Sequence, residues 1–150
     1  MKTKIIGKIL LSLGLVFVLG SAITQVHGIS PPPFQVVTIH STGDVTRGKT
    51  GSFVLSMNPP VMLGGTYVNF AVSGTAVAGV DYASLLSPTF IGKSGYGVIS
   101  LKTLPDPRGG SDHKAYSVVV TLEPGAGYAV GKPSSATIWI TNSCELEACW

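Results

Sequence analysis

Residues 43–50 read Gly43-Asp44-Val45-Thr46-Arg47-Gly48-Lys49-Thr50, which satisfies the G-x-x-x-x-G-K-T spacing of a phosphate-cradling loop. That chemistry needs a helix directly after the lysine, because the free amides of its first turn hold the phosphate oxygens. Here Phe53, Leu55 and Met57 alternate with Ser52, Val54 and Ser56, and the run stops at Pro59-Pro60. A period of two is a strand, so the pattern lacks its helix and no nucleotide partner is expected. For nucleophilic catalysis the chain offers His40 and His113 but no G-x-S-x-G, and no spacing that gathers a serine and an acid around either histidine. The expectation is a protein that is not an enzyme. The two cysteines, Cys144 and Cys149, lie five apart with neither His40 nor His113 near them in sequence. Two thiols alone do not complete a zinc site; a short-loop disulfide, or a partner cysteine in another chain, is the expectation.

These residues must be positioned by strands. Gln35 to Ile39 is a β-branched run behind Pro31-Pro32-Pro33. Residues 66–73 place Val68, Phe70 and Val72 on one face and Tyr67, Asn69 and Ala71 on the other. Residues 96–104 set Ile99, Leu101 and Thr103 against Val98, Ser100 and Lys102. Residues 89–91 form a short candidate, and residues 115–122 and 136–141 are the richest β runs. Turn residues punctuate them at Gly64-Gly65, residues 92–95, residues 107–110 and residues 124–127. About seven short strands, with a turn signal roughly every ten residues, predict a two-sheet antiparallel sandwich of immunoglobulin type. Trp139, between Ile138 and Ile140, is assigned to its core; Tyr96, Tyr116 and Tyr128 are candidates for an exposed carbohydrate or protein contact surface, with ordinary sheet residues as the alternative reading.

Composition and charge bound the partners. The chain has 45% hydrophobic and 11% charged residues, which excludes an intrinsically disordered protein. Its net charge of +3 invites a nucleic-acid reading until the charges are located. Lys2, Lys4 and Lys8 precede the uncharged stretch from Ile9 to Ile23, followed by small residues near Ala22 and Gly28. This is the layout of a secretory signal peptide over residues 1–28, with cleavage after Ala22 or after Gly28. The stretch is too short, against the roughly 20 apolar residues a bilayer demands, to act as a membrane span. Losing residues 1–28 removes three of the ten bases and none of the seven acids, which leaves a neutral mature chain. No basic stripe remains, so nucleic acid is not an expected partner. The expected organisation is a signal peptide (residues 1–28), a Pro-rich leader (29–35), a sandwich (36–143) and a C-terminal tail with the Cys144/Cys149 pair (144–150).

The segment Val68-Asn69-Phe70-Ala71-Val72-Ser73-Gly74-Thr75-Ala76-Val77-Ala78-Gly79-Val80-Asp81-Tyr82 is more specific. A strand entering Gly-Thr-Ala, a small turn, then Gly-x-Asp-Tyr resembles the signature of the Calx-beta domain family. Phe53-Val54-Leu55, Phe90-Ile91-Gly92, and Ile99-x-Leu101 with Asp106 five residues later, fit the same rhythm. The resemblance extends from about Val36 to Ser143 and implies a seven-stranded antiparallel immunoglobulin-like β-sandwich. In calcium-binding members, cations sit at one end of the sandwich among carboxylates from several loops, since a hard cation takes six to eight oxygens. Carried over, the resemblance implies Asp81, Asp106, Asp112 and Asn142 as metal ligands, with calcium as the cofactor. The chain departs from the pattern at Arg47-Gly48, where the family commonly has Glu-Gly, and at Asn142-Ser143, where it has paired aspartates. Its loop over residues 107–114 offers only Asp112 where the family has two glutamates.

Asp81 has a second reading, as an acceptor of backbone hydrogen bonds in a turn with Tyr82 on the core. The expected function is a secreted, periplasmic or cell-surface module with a structural or adhesive role toward a protein or surface partner. The alternative is a calcium-responsive module with an incomplete acidic site.

Overall fold

Alternating side chains decide the architecture, because each strand has one apolar face to bury. The computed structural model describes residues 34–61, 64–106 and 114–142. Asp112, His113, Cys144 and Cys149 lie outside the described residues, as do the expected signal peptide, residues 1–28, and the expected tail, residues 144–150.

The described residues form ten strands and no helix: β1 (Val36–Ser41), β2 (Val45–Thr46), β3 (Thr50–Asn58), β4 (Gly65–Val68), β5 (Phe70–Gly74), β6 (Thr89–Gly92), β7 (Tyr96–Lys102), β8 (Tyr116–Leu122), β9 (Ala129–Val130) and β10 (Ser135–Thr141). One sheet has the order β7-β3-β1-β9, a second β2-β10-β8-β5, and β4 pairs with β6. This all-β arrangement is consistent with an immunoglobulin-like sandwich. Val37, Ile39, Phe53, Leu55, Ile99 and Leu101 from the first sheet join Phe70, Val118, Val120, Ile138 and Ile140 from the second in one apolar core.

The seven expected strands become ten for identifiable reasons. The two-residue strands β2 and β9 are too short to show a period, and each adds to a sheet edge in parallel, β2 on β10 and β9 on β1. The run over residues 66–73 divides at Asn69: β4 pairs with β6, whereas β5 pairs with β8. Val68 and Phe70 remain buried across the break, so the alternation survives while the hydrogen-bonding partner changes. Tyr128 pins this crossing. Its hydroxyl accepts the Asn69 amide at 2.9 Å and donates to the Glu123 carbonyl at 2.6 Å, while the Glu123 amide donates to the Asn69 carbonyl at 2.9 Å.

Two aromatic assignments are corrected. Trp139 is 44% exposed, because Ile138 and Ile140 both face inward and a period of two sends the residue between them outward. Its amide donates to the Asp44 carboxylate at 3.0 Å. Tyr128 is buried, drawn in by the backbone groups at the Asn69 crossing; Tyr116 is half-buried and Tyr96 is exposed.

Candidate functional site at one end of the sandwich

Two turns and two strand ends build the site. The first turn follows β2: the Arg47 amide donates to the Thr141 carbonyl at 2.9 Å, and the Lys49 amide closes the turn on Thr46 at 3.0 Å. Gly48 adopts φ 77°, a left-handed conformation in which a side chain would strain the backbone. Thr103, 3% exposed, ties this turn to the end of β7 by donating its hydroxyl to the Lys49 carbonyl at 2.6 Å.

The second turn is the Gly-x-Asp-Tyr segment. Gly79 takes φ 80°, and the Asp81 amide donates back to the Val77 carbonyl at 2.8 Å. One Asp81 carboxylate oxygen accepts the Val77 amide at 2.8 Å. Tyr82 packs into the core, so the turn-acceptor reading of Asp81 describes half of its carboxylate. The Leu104 amide donates to the Asp81 carbonyl at 2.9 Å, which fastens the turn to the chain that continues to Asp106.

The other half of the Asp81 carboxylate faces Arg47. Nη2 of Arg47 donates to Oδ1 of Asp81 at 2.6 Å, with side chains 6% and 0% exposed. Nε of Arg47 lies 4.0 Å from Oδ2 of Asp106. The same Asp106 oxygen accepts the Asn142 side-chain amide at 3.1 Å. The Arg47 guanidinium carbon sits 5.5 Å from the centre of the Tyr116 ring, within cation–π range. Arg47 thus stands among Asp81, Asp106 and Asn142.

Electrostatics reaches the neighbouring phenol as well. Burial, and then the Asp81 carboxylate, raise the Tyr82 pKa above its usual 10.0.

These residues do not fit a calcium ion. The cation needs six to eight oxygens, and the described residues bring two carboxylates and one amide. Of these, Oδ1 of Asp81 is bonded to a guanidinium, Oδ2 to a backbone amide, and Oδ2 of Asp106 to Asn142. Among the described residues no group of three or more His, Cys, Asp or Glu side chains is arranged to hold a metal.

Sequence reasoning located Arg47 as a departure from the family pattern but did not pair it with Asp81. It also missed Thr103 as a tether and Tyr116 as the ring beneath the guanidinium. A polar residue in an inward-facing slot, which residues 96–104 show at Thr103, was the available signal. His40 sits on the outer face of β1 opposite Val54, which pairs with Val98, and Thr50, the last residue of the phosphate-loop pattern, opens β3.

No family model matches the sequence, and the search of curated proteins finds no match. Among solved structures, the chain is similar to the crystal structure of CBD12 from CALX1.2, with a TM-score of 0.53 at 13% identity over 71% of this chain. The chain spans 44% of that structure's length. A second neighbour, the calcium binding domain CBD12 of CALX1.1, has a TM-score of 0.49 at 14% identity, covering 70% of this chain and 44% of that one. A third, the ZirS C-terminal domain, has a TM-score of 0.38 at 12% identity, covering 95% of this chain and 87% of that one. At these identities the likeness to Calx-beta calcium-binding domains is one of fold.

Proposed function

We propose that this chain is an exported, non-enzymatic module of the Calx-beta type, with a structural or adhesive role toward a protein or surface partner at the cell surface or beyond it. The observation that carries this reading is the commitment of the buried polar side chains at the loop end to one another: Arg47 to Asp81, and Asn142 to Asp106. Groups so bonded hold loops in place and are not poised to accept a proton or attack a substrate. Supporting export are the cationic start and short apolar stretch of residues 1–28, whose loss leaves a neutral mature chain. Neither nucleotide nor nucleic acid belongs among its partners on this reading.

Cell fractionation of the full chain tests it. The expected product begins after Ala22 or Gly28 and lies outside the cytoplasm; a full-length cytoplasmic product refutes export. Turnover by the exported chain that disappears with His40→Ala or His113→Ala refutes the non-enzymatic role.

A second reading is a calcium-responsive module. Its starting point is the convergence of Asp81, Asp106 and Asn142 at one end of the sandwich, where calcium would have to displace Arg47. It requires calcium to raise the melting temperature, as any ligand selective for the native state does.

A further inference from the structure

Carboxylates brought together from separate loops repel unless a positive charge lies among them. At this end of the sandwich Asp81 comes from the turn before β6 and Asp106 from the segment after β7. The positive charge between them belongs to the chain itself. Arg47 reaches Asp81 at 2.6 Å and approaches Asp106 at 4.0 Å, and its side chain is 6% exposed. A guanidinium suits this position because it is more weakly hydrated than an ammonium, presents a planar fork of donors, and stacks on aromatic rings as it does on Tyr116.

The backbone fixes where the charge falls. Pairing of β2 with β10 and the bond from the Arg47 amide to Thr141 hold the residue beside the end of β10, next to Asn142. Thr103 holds the other side of the same turn to β7. The side chain therefore gathers the turn after β2, the Gly-x-Asp-Tyr turn and the segment after β7. Drawing oxygen-bearing loops together is the task a bound divalent cation performs in a multi-loop carboxylate site.

We infer that Arg47 is a tethered cation that takes the place of a divalent metal, so that this loop end is organised without one and a divalent site opens when Arg47 is replaced by an acid. Arg47→Glu removes the positive charge and adds a third carboxylate beside Asp81 and Asp106. The site then has the hard, anionic oxygen set that calcium requires. This rests on the Calx-beta-like reading of the sandwich and is independent of the adhesive role, so its failure leaves the fractionation and turnover results untouched.

The test is thermal melting of the exported chain in calcium chloride or in chelator, alongside terbium luminescence sensitised by Tyr116 and Tyr82. Wild type is expected to melt at the same temperature in both, within about 1 °C, with no sensitised terbium signal. Arg47→Glu is expected to melt lower in chelator and to regain about 4 °C or more in millimolar calcium. It should bind terbium saturably, and lose that binding when Asp81→Asn is added. Arg47→Asp, which places a shorter carboxylate at the same position, is the second variant if Arg47→Glu does not fold; it too should melt lower in chelator and gain a calcium response. A wild-type melt raised by calcium overturns the inference and favours the calcium-responsive reading. Calcium and terbium responses absent from both variants, or variants as stable as wild type in chelator, also overturn it.

Discussion

Strand β8 connects two ends of the sandwich that are held by opposite kinds of chemistry. Near its first residue, Tyr116, the loops are gathered by a buried ion pair; just beyond its last, Leu122, they are gathered by the neutral hydroxyl of Tyr128. Both devices pair polar groups that burial has cut off from water, although Nε and Nη1 of Arg47 have no hydrogen-bond partner among the described residues, and their costs differ. A buried charge left without its partner is far more expensive than a buried hydroxyl or amide left without one. The charged end is therefore the more fragile to single substitutions and the more readily redirected to another cation. At the neutral end the hydroxyl holds Asn69, where the chain passes from pairing with β6 to pairing with β8.

The largest expected effect is at the charged end. Asp81→Ala strands the Arg47 guanidinium and frees the Val77 amide, and should destabilise the domain by about 3–5 kcal/mol in urea unfolding. Arg47→Met combined with Asp81→Asn keeps an acceptor for Val77, leaves no unpaired guanidinium and keeps Asp106 hydrogen-bonded to Asn142, so the pair should cost less than Asp81→Ala alone. A double variant as unstable as the single one would mean that packing, and not charge, holds this end.

At the neutral end, Tyr128→Phe removes a donor to Glu123 and an acceptor for Asn69, for an expected loss of about 1–3 kcal/mol. A loss matching that of Asp81→Ala would erase the proposed contrast between the two ends. Alkaline titration sharpens it further. The Tyr82 pKa is raised in the folded protein, so its stabilising contribution is complete below pH 10.0 and is lost as pH rises through the folded value. Tyr82→Phe should flatten that part of the decline in unfolding free energy measured as pH rises above 10.0. The smallest effect is expected between the ends: Trp139→Thr, on the outer face of β10, should change stability by no more than about 0.5 kcal/mol.

How much of this was legible beforehand follows from the reach of each signal. The inward faces of β3, β7 and β8 were readable because alternation is a local property, and Ile99, Leu101 and Thr103 are buried as their spacing required. The same rule placed Trp139 outside once Ile138 and Ile140 were known to face in, yet its hydrophobicity argued for the core. Period outweighs residue type when both neighbours are fixed by burial. The division at Asn69 had no local signal, since Val68 and Phe70 alternate smoothly through a point where the strand changes its partner from β6 to β8.

By itself the sequence determined that the chain is β-rich, that its excess positive charge belongs to residues 1–28, and that an arginine stands where the resembling family commonly carries an acid. These are matters of composition, position and period, each complete within a few residues. Only the tertiary structure decided what that arginine does. Arg47 and Asp81 are 34 residues apart, and neither carries any mark of the other in its own neighbourhood. They meet because β2 adds to the edge beside β10 while the Gly79 turn fastens to the end of β7, and closing the sandwich brings the two turns to one point. From the sequence alone, Arg47 reads as a charge opposed to a metal site. In the folded chain it is the cation that the carboxylates hold.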